Sequence, residues 1–331
     1  MTEEGTTRSQ NRSFDATPCL PFDGAKDAER LRTALQGMRP DEEIFIEILC
    51  KRTPIQRQEI RRMYEQEYRR DLVSDARHKL HGKFGDVVVS LLTPLPKYLA
   101  QELHRAIRTS GKDSRVFFEV FCNCDNVTIR TIKQAYYKCY AITLECAVKS
   151  QCGQLGDDFQ TLLEKLVSNE RDEDDVAMLE LPMRIAKQLY QAVEGAGGSE
   201  PDKDELRRIF TTYSYETLRE VFKLYCEVSG KKLEEVLRGR AVSDEFYTGI
   251  FTAYYSIRNP ATFFAWEFRS SVEGPGTRDR LLIRLIVTRN QVDMGAIKAE
   301  YKRMFNRSLK KDIKGDTYGS YRRILLGLVD S

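Results

Sequence analysis

The chain has 331 residues, 41% of them hydrophobic and 31% charged. That is enough apolar material for a substantial core and too much for a disordered chain, while a formal charge of only +3 excludes a global basic field. No apolar run reaches the roughly 18 residues needed to cross a bilayer, and no Gly-rich, Ser- or His-centred motif of a nucleotide-binding or hydrolytic site occurs, so neither a membrane-spanning protein nor an enzyme is expected.

Residues 1–21 form a Ser- and Thr-rich tail that contains Cys19 and has no amphipathic stripe. MTEEGTTRSQNRSF lacks the apolar stretch of a secretory signal, and Thr2 stands where N-myristoylation needs glycine, so the chain reads as cytosolic. Beyond the tail a pattern recurs. Helical stripes begin at Ala28 (AERLRTALQG), Ala100 (AQELHRAIRT), Ala186 (AKQLYQAVEG) and Ala265 (AWEFRSSVEG). Behind each comes an anchor: Ile60, Ile132, Val221 or Ile297. Four residues later stands Tyr64, Tyr136, Tyr225 or Tyr301, and twelve residues later Leu72, Leu144, Leu233 or Leu309. Residues held in phase over four copies mark a repeat array.

Each unit reads as about five short helices, with breakers at Gly82, Gly153, Gly230 and Gly315 and no sustained alternation of the strand type. The fold class is therefore all-α, with repeats at residues 22–94, 95–167, 176–259 and 260–331. Between the second and third, SNERDEDD (168–175) is a charged linker, expected as a solvated spacer around which the repeats pair two plus two. Five of the eight cysteines (Cys122, Cys124, Cys139, Cys146 and Cys152) crowd into one region. Free, mostly buried thiols are expected there, with a zinc site as the alternative.

The last unit carries the most specific chemistry. Gly274-Pro275-Gly276-Thr277 lies between two helical stripes, and Asp316 follows Gly274 by 42 residues. Two glycines allow a tight interhelical loop to turn its carbonyls to one point. Calcium takes about six to eight hard oxygens, and the carbonyls of Val272, Gly274 and Gly276 with the carboxylate of Asp316 leave positions open for a lipid phosphate. Thr277 shapes the loop. With its G-x-G-T loop, its LIR and TR segments and its K-G-D-T-x-G-x-Y run, the unit resembles the fourth repeat of an annexin. The resemblance extends from about Phe22 to Val329. It implies four five-helix repeats in a curved disk, calcium loops on the convex face, Ca2+ as the cofactor and peripheral attachment to anionic phospholipid.

Against that family pattern three sites are degenerate. Gly37 is followed 42 residues on by Lys79, and Thr109, which opens the loop Thr109-Ser110-Gly111-Lys112, by Gln151. The third repeat keeps Gly195-Ala196-Gly197, but Arg240 holds the acid's phase at a spacing of 45. Lys79 and Arg240 thus replace carboxylates, and Arg39 and Lys112 enter the loops. One reading is drift. The other has a cation of the chain standing in for calcium and meeting lipid phosphate, which makes Thr277, Arg39, Lys79, Lys112 and Arg240 lipid-contact candidates. Of the family's arginines before the third helix, Arg52 and Arg289 persist, while Cys124 and Tyr213 hold the matching positions, so the family's central charged network is expected to be reduced.

His78 and His81 flank Lys79 and share a face if the helix runs through them. Trp266, with Phe263, Phe264 and Phe268, reads as core packing. The expected function is calcium-dependent binding to anionic membranes, in membrane organisation, trafficking or linkage to the cytoskeleton, with a cytoskeletal or other protein partner left open. The alternatives are a calcium-independent protein scaffold and an RNA or polyanion binder using the substituted basic residues. The near-neutral charge argues against nucleic acid.

Overall fold

The structure, a computed structural model, describes residues 22–109, 113–151, 156–168, 171–173, 181–195, 200–242, 244–274 and 276–330. Among them are twenty α-helices and no strand, and in chain order they fall into four sets of five. The first repeat holds α1 (Gly24–Leu35), α2 (Glu42–Lys51), α3 (Pro54–Tyr68), α4 (Leu72–Lys79) and α5 (Gly82–Leu92). The second holds α6 (Leu95–Arg108), α7 (Arg115–Phe121), α8 (Asn126–Tyr140), α9 (Leu144–Gln151) and α10 (Asp157–Ser168). The third holds α11 (Leu181–Glu194), α12 (Lys203–Thr212), α13 (Tyr215–Ser229), α14 (Leu233–Ala241) and α15 (Glu245–Arg258). The fourth holds α16 (Pro260–Val272), α17 (Asp279–Arg289), α18 (Met294–Phe305), α19 (Leu309–Asp316) and α20 (Gly319–Asp330). The expected all-α fold of four five-helix repeats is what forms.

Local chemistry sets the helix starts. Asp23, Asp41 and Asp71 cap α1, α2 and α4, and Thr53 with Gln56 forms a capping box ahead of α3, with Pro54 in its first turn. The recurring residues then do the packing. Tyr64, Tyr136, Tyr225 and Tyr301 are all 0% exposed, and the four in-phase leucines each open a fourth helix and are buried. Two turns past each leucine comes Lys79, Gln151, Arg240 or Asp316, at the C-terminal end of its helix. The scaffold therefore delivers one variable side chain per repeat to the same place.

The repeats do not pair in chain order as expected. One compact unit comprises the described residues of Met1–Leu92, Ser271–Gly295 and Ser308–Ser331, so the first repeat shares it with α17, α19 and α20. Within it α20 packs on α2 and α5, and α17 packs on α5. The approach of α2 to α20 needs Gly327, where a Cβ would lie 2.7 Å from Cys50 Sγ. The Cys50 thiol donates to the Ile324 carbonyl at 3.6 Å, and burial pushes its pKa up to about 11. The other unit comprises Thr93–Ser270 and Ala296–Arg307, joining the second and third repeats. There α15 packs on α7, α10 and α12, around a core that includes Phe118, Leu162, Phe210 and Ile250.

The charged linker is also not the solvated spacer expected, at least over its described part. Arg171 is 7% exposed and donates to the carbonyls of Phe210, at 2.7 Å, and Tyr213, at the end of α12. Its guanidinium lies 4.4 Å from the centroid of the Tyr215 ring. The main-chain N–H of Asp172 donates to the Thr212 carbonyl, and Glu173 accepts from the N–H of Asn126 at the start of α8. Exposed helix-end carbonyls and N–H groups need partners, and Arg171, the Asp172 main chain and Glu173 supply them. In the first repeat the matching carbonyl, that of Leu49, is capped by Arg57 from its own α3, at 2.7 and 3.0 Å. Position 218 of the third repeat, in phase with Arg57, is a leucine, so the cap comes from the linker instead.

Other expectations fail locally. Gly315 does not break a helix but lies inside α19. Of the six described cysteines, all free, only Cys122 is buried, and Cys139, Cys146 and Cys226 are exposed. Helix α4 ends at Lys79, so His81 lies beyond it and the two exposed histidines share no helical face. Phe263, Phe264 and Phe268 are core, but Trp266 is 49% exposed and meets Phe305 edge-on. The tail, residues 1–21, lies outside the described residues.

A close approach inside the second unit gives a direct test. A Cβ on Gly249 would lie 2.6 Å from the Phe159 ring and 2.9 Å from Leu162, whereas one on Gly239 of α14 meets nothing within 4 Å. Overpacking costs about 1–3 kcal/mol, the upper part of that range for contacts under about 3 Å, and alanine's helix advantage returns about 1 kcal/mol. Denaturant unfolding should therefore show Gly249→Ala less stable by roughly 1–2 kcal/mol and Gly239→Ala unchanged or more stable. An unaltered or stabilised Gly249→Ala would contradict this packing.

Candidate metal centre

The loop between α16 and α17 begins after Val272 and is closed by Arg278, whose N–H donates to the Ser271 carbonyl at 2.8 Å. Gly274 and Gly276 are exposed, with φ of +103° and +87°. Side chains at these positions would be strained by the backbone alone, since a Cβ on either meets nothing. The acid comes from the end of α19. The Thr277 hydroxyl lies 2.8 Å from Asp316 Oδ2 and 2.9 Å from the Asp316 carbonyl oxygen, donating its one proton to one or the other. Thr277 therefore fastens the carboxylate to the loop.

Electrostatics make this a place for a cation. The last carbonyls of a helix carry partial negative charge, and a carboxylate there adds to it rather than offsetting it. Among the described residues no group of three His, Cys, Asp or Glu side chains is placed to hold a metal. A zinc site in the cysteine-rich stretch thus has no support there. A cation at the loop must draw mainly on carbonyl oxygens and one carboxylate, and that hard-oxygen donor set fits calcium. Val272, Gly274, Gly276 and Asp316 would hold it, all within one compact unit.

The other three repeats place their substituted residues differently. In the first, Gly37 has φ +90° and the Lys79 ammonium donates to its carbonyl at 3.3 Å, while Arg39 is exposed. In the second, the Thr109 hydroxyl is turned back to the Ala106 carbonyl at 3.1 Å; residues 110–112, including Lys112, and the Gln151 side chain lie outside the description. In the third, Gly195 keeps φ +82°, and Gly197 is outside the description. Arg240 is half-buried there, its guanidinium 5.5 Å from the centroid of the Tyr247 ring. Burial pushes the Tyr247 phenol up, and Arg240 and Lys203 oppose that shift. Of the retained arginines, Arg52 pairs with the buried Asp27 at 2.6 Å and Arg289 with Asp293 at 2.5 Å.

Sequence reasoning missed two residues beside these loops. Met38, at the tip of the first loop, is fully exposed, and Tyr318, two residues past Asp316, is 80% exposed. Each lies one or two residues from a residue already singled out, but exposure of an apolar side chain has no local signature.

The annexin family profile matches residues 26–91, 98–166, 184–250 and 263–328, one stretch per repeat. The chain belongs to the annexin family. It is similar to Annexin B10 of Drosophila melanogaster, at 34% identity over 313 residues covering 94% of this chain and 96% of that one. It is also similar to Annexin A4 of Homo sapiens, at 34% over 307 residues covering 93% and 94%. Among solved structures, Annexin III superposes with a TM-score of 0.88 at 29% identity over 95% of this chain and 96% of that one. Chicken Annexin V in complex with Zn2+ superposes at 0.83 and 35% over 95% and 97%. Annexins generally bind phospholipid in a calcium-dependent manner. Among the described residues of this annexin, no helix is long and apolar enough to cross a membrane.

The Thr277 bond predicts a measurable change. Thr277→Val keeps the shape and removes the donor to a charged acceptor, an interaction of about 1.5–3 kcal/mol. Half-saturating calcium in a titration should rise by about tenfold, with the unfolding temperature of the calcium-free chain lowered by only a few degrees. An unchanged calcium requirement would show that Thr277 does not position Asp316.

Proposed function

We propose that this annexin binds anionic phospholipid membranes reversibly through calcium, with the loop of the last repeat as its one complete calcium site. The observation that carries this reading is the Asp316 carboxylate held at 2.8 Å by the hydroxyl of Thr277, beside two left-handed glycines. Bound there, calcium supplies a bridge whose remaining coordination positions accept phosphate oxygens of lipid headgroups. The chain's own contribution is to fix the acid, keep the glycines exposed and leave those positions open. Lys79, Gln151 and Arg240 stand in place of the acid in the first, second and third repeats. Such binding suits membrane organisation, trafficking or linkage of membrane to cytoskeleton.

Cosedimentation with phosphatidylserine-containing vesicles tests this. Asp316→Ala should lower calcium-dependent binding at least about tenfold, because neutral carbonyls alone do not balance the ion's charge. The wild-type calcium dependence should be shallow, with little of the avidity that several loops on one surface provide. Undiminished binding by Asp316→Ala would overturn the assignment.

A further inference from the structure

The loop of the first repeat has lost its acid and yet is held together. Lys79 is the last residue of α4, the end of a helix where a cation is favoured, and its ammonium reaches the Gly37 carbonyl at 3.3 Å. Asp316 stands at the same helix end against the dipole and is completed by an added cation. Lys79 is a cation already joined to the chain. One of its three N–H donors serves Gly37, and two remain.

At the tip of this loop the apolar side chain of Met38 is fully exposed, followed by the exposed Arg39. Arg39, Lys79 and His81 line an open depression of ≈ 660 Å³ with Ser320 and Arg323 of α20, all in one compact unit. Helix α20 starts three residues after Asp316, and the intervening Tyr318 is 80% exposed. The first loop and the start of α20 thus border one depression. Acids line it as well. Asp41 is the cap of α2, accepting from the Glu43 N–H at 3.0 Å, and Glu43 pairs with Arg323. Glu42 is the remaining acid. Arg39 and Lys79 are left as the outward positive charges against it.

We propose that the first-repeat loop is a metal-free contact with an anionic bilayer. Met38 and Tyr318 enter the interfacial layer, where apolar and tyrosine side chains are favoured, and Arg39 with the spare donors of Lys79 meets lipid phosphate. Lys79 holds the loop as the tethered counterpart of calcium. This rests on the reading that the partner is an anionic membrane, and it is separable from the calcium site.

Trp266 is the only tryptophan, so Trp266→Phe with Met38→Trp places a single reporter at the loop tip. In chelator, phosphatidylserine-containing vesicles should shift its emission to the blue, and lipids brominated on their acyl chains should quench it. Pure phosphatidylcholine vesicles, inorganic phosphate and soluble glycerophosphoserine should do neither, which separates a bilayer from free phosphate. In the otherwise unaltered chain, Lys79→Met should lower the chelator-resistant bound fraction about fivefold and Arg39→Glu by more, as a single surface charge predicts. Asp316→Ala should keep the blue shift in chelator while losing calcium-dependent binding. An unshifted reporter on phosphatidylserine vesicles, an equal shift with free phosphate, or unchanged chelator-resistant binding by Arg39→Glu would overturn the proposal. So would loss of the shift in Asp316→Ala.

Discussion

Two helical turns separate the buried leucine that opens each fourth helix from the residue at or next to its end, Lys79, Gln151, Arg240 or Asp316. Because the leucine and the tyrosine of the preceding helix are locked in the core, this side chain is delivered to one position whatever its chemistry. In the first and last repeats it reaches the loop that follows the first helix, through the Gly37 carbonyl and the Thr277 hydroxyl. The helix end itself prefers a positive charge there. An acid at that position calls for an external cation, and a lysine needs none. On the proposed reading, that one residue sets whether a loop depends on calcium.

The same register brings a second variable residue to the recurring tyrosine. Three residues into the fourth helix from its leucine stand Asp75, Ala147, Val236 and Asp312. In the first repeat Asp75 accepts from the Tyr64 hydroxyl at 2.8 Å and from Arg70, whose bond holds its carboxyl below the usual range against the opposing effect of burial. Without that acid, the second repeat ties Tyr136 to His104 at 2.9 Å and stacks the imidazole on Tyr140. The third sets Tyr190 edge-on to Tyr225. Aromatic contacts to this tyrosine occur in all four repeats, and in the first the Asp75 node is added to them.

Periodicity made the helices legible, since a buried face must recur every three or four residues and the anchor, tyrosine and leucine do so in all four repeats. The contact between the last loop and Asp316 was legible because a glycine-rich turn and an acid are donor types that suit a hard cation, which links the two segments. Pairing of the repeats was not. It turns on Gly327 and Gly249, whose significance lies in what packs against them and not in their neighbours along the chain. Arg171 sat in a charge run of the kind that normally stays in water, and its partners are carbonyls 39 and 42 residues away. The sequence marks Arg240 only as a basic residue in the phase of Asp316, and its placement 5.5 Å from the Tyr247 ring centroid depends on the tertiary fold. Trp266 lies between buried Phe264 and Phe268 in sequence, and at about 100° per residue the position between two core residues two apart from it turns outward.

Calcium occupancy of the four loops tests the central claim most directly. Diffraction from crystals grown in excess calcium should place one loop-bound ion, coordinated by the Gly274–Gly276 loop and Asp316, with the Lys79 ammonium remaining on the Gly37 carbonyl. Calcium bound in the Gly37 or Gly195 loop, or a last-repeat loop that stays empty while another fills, would contradict the account.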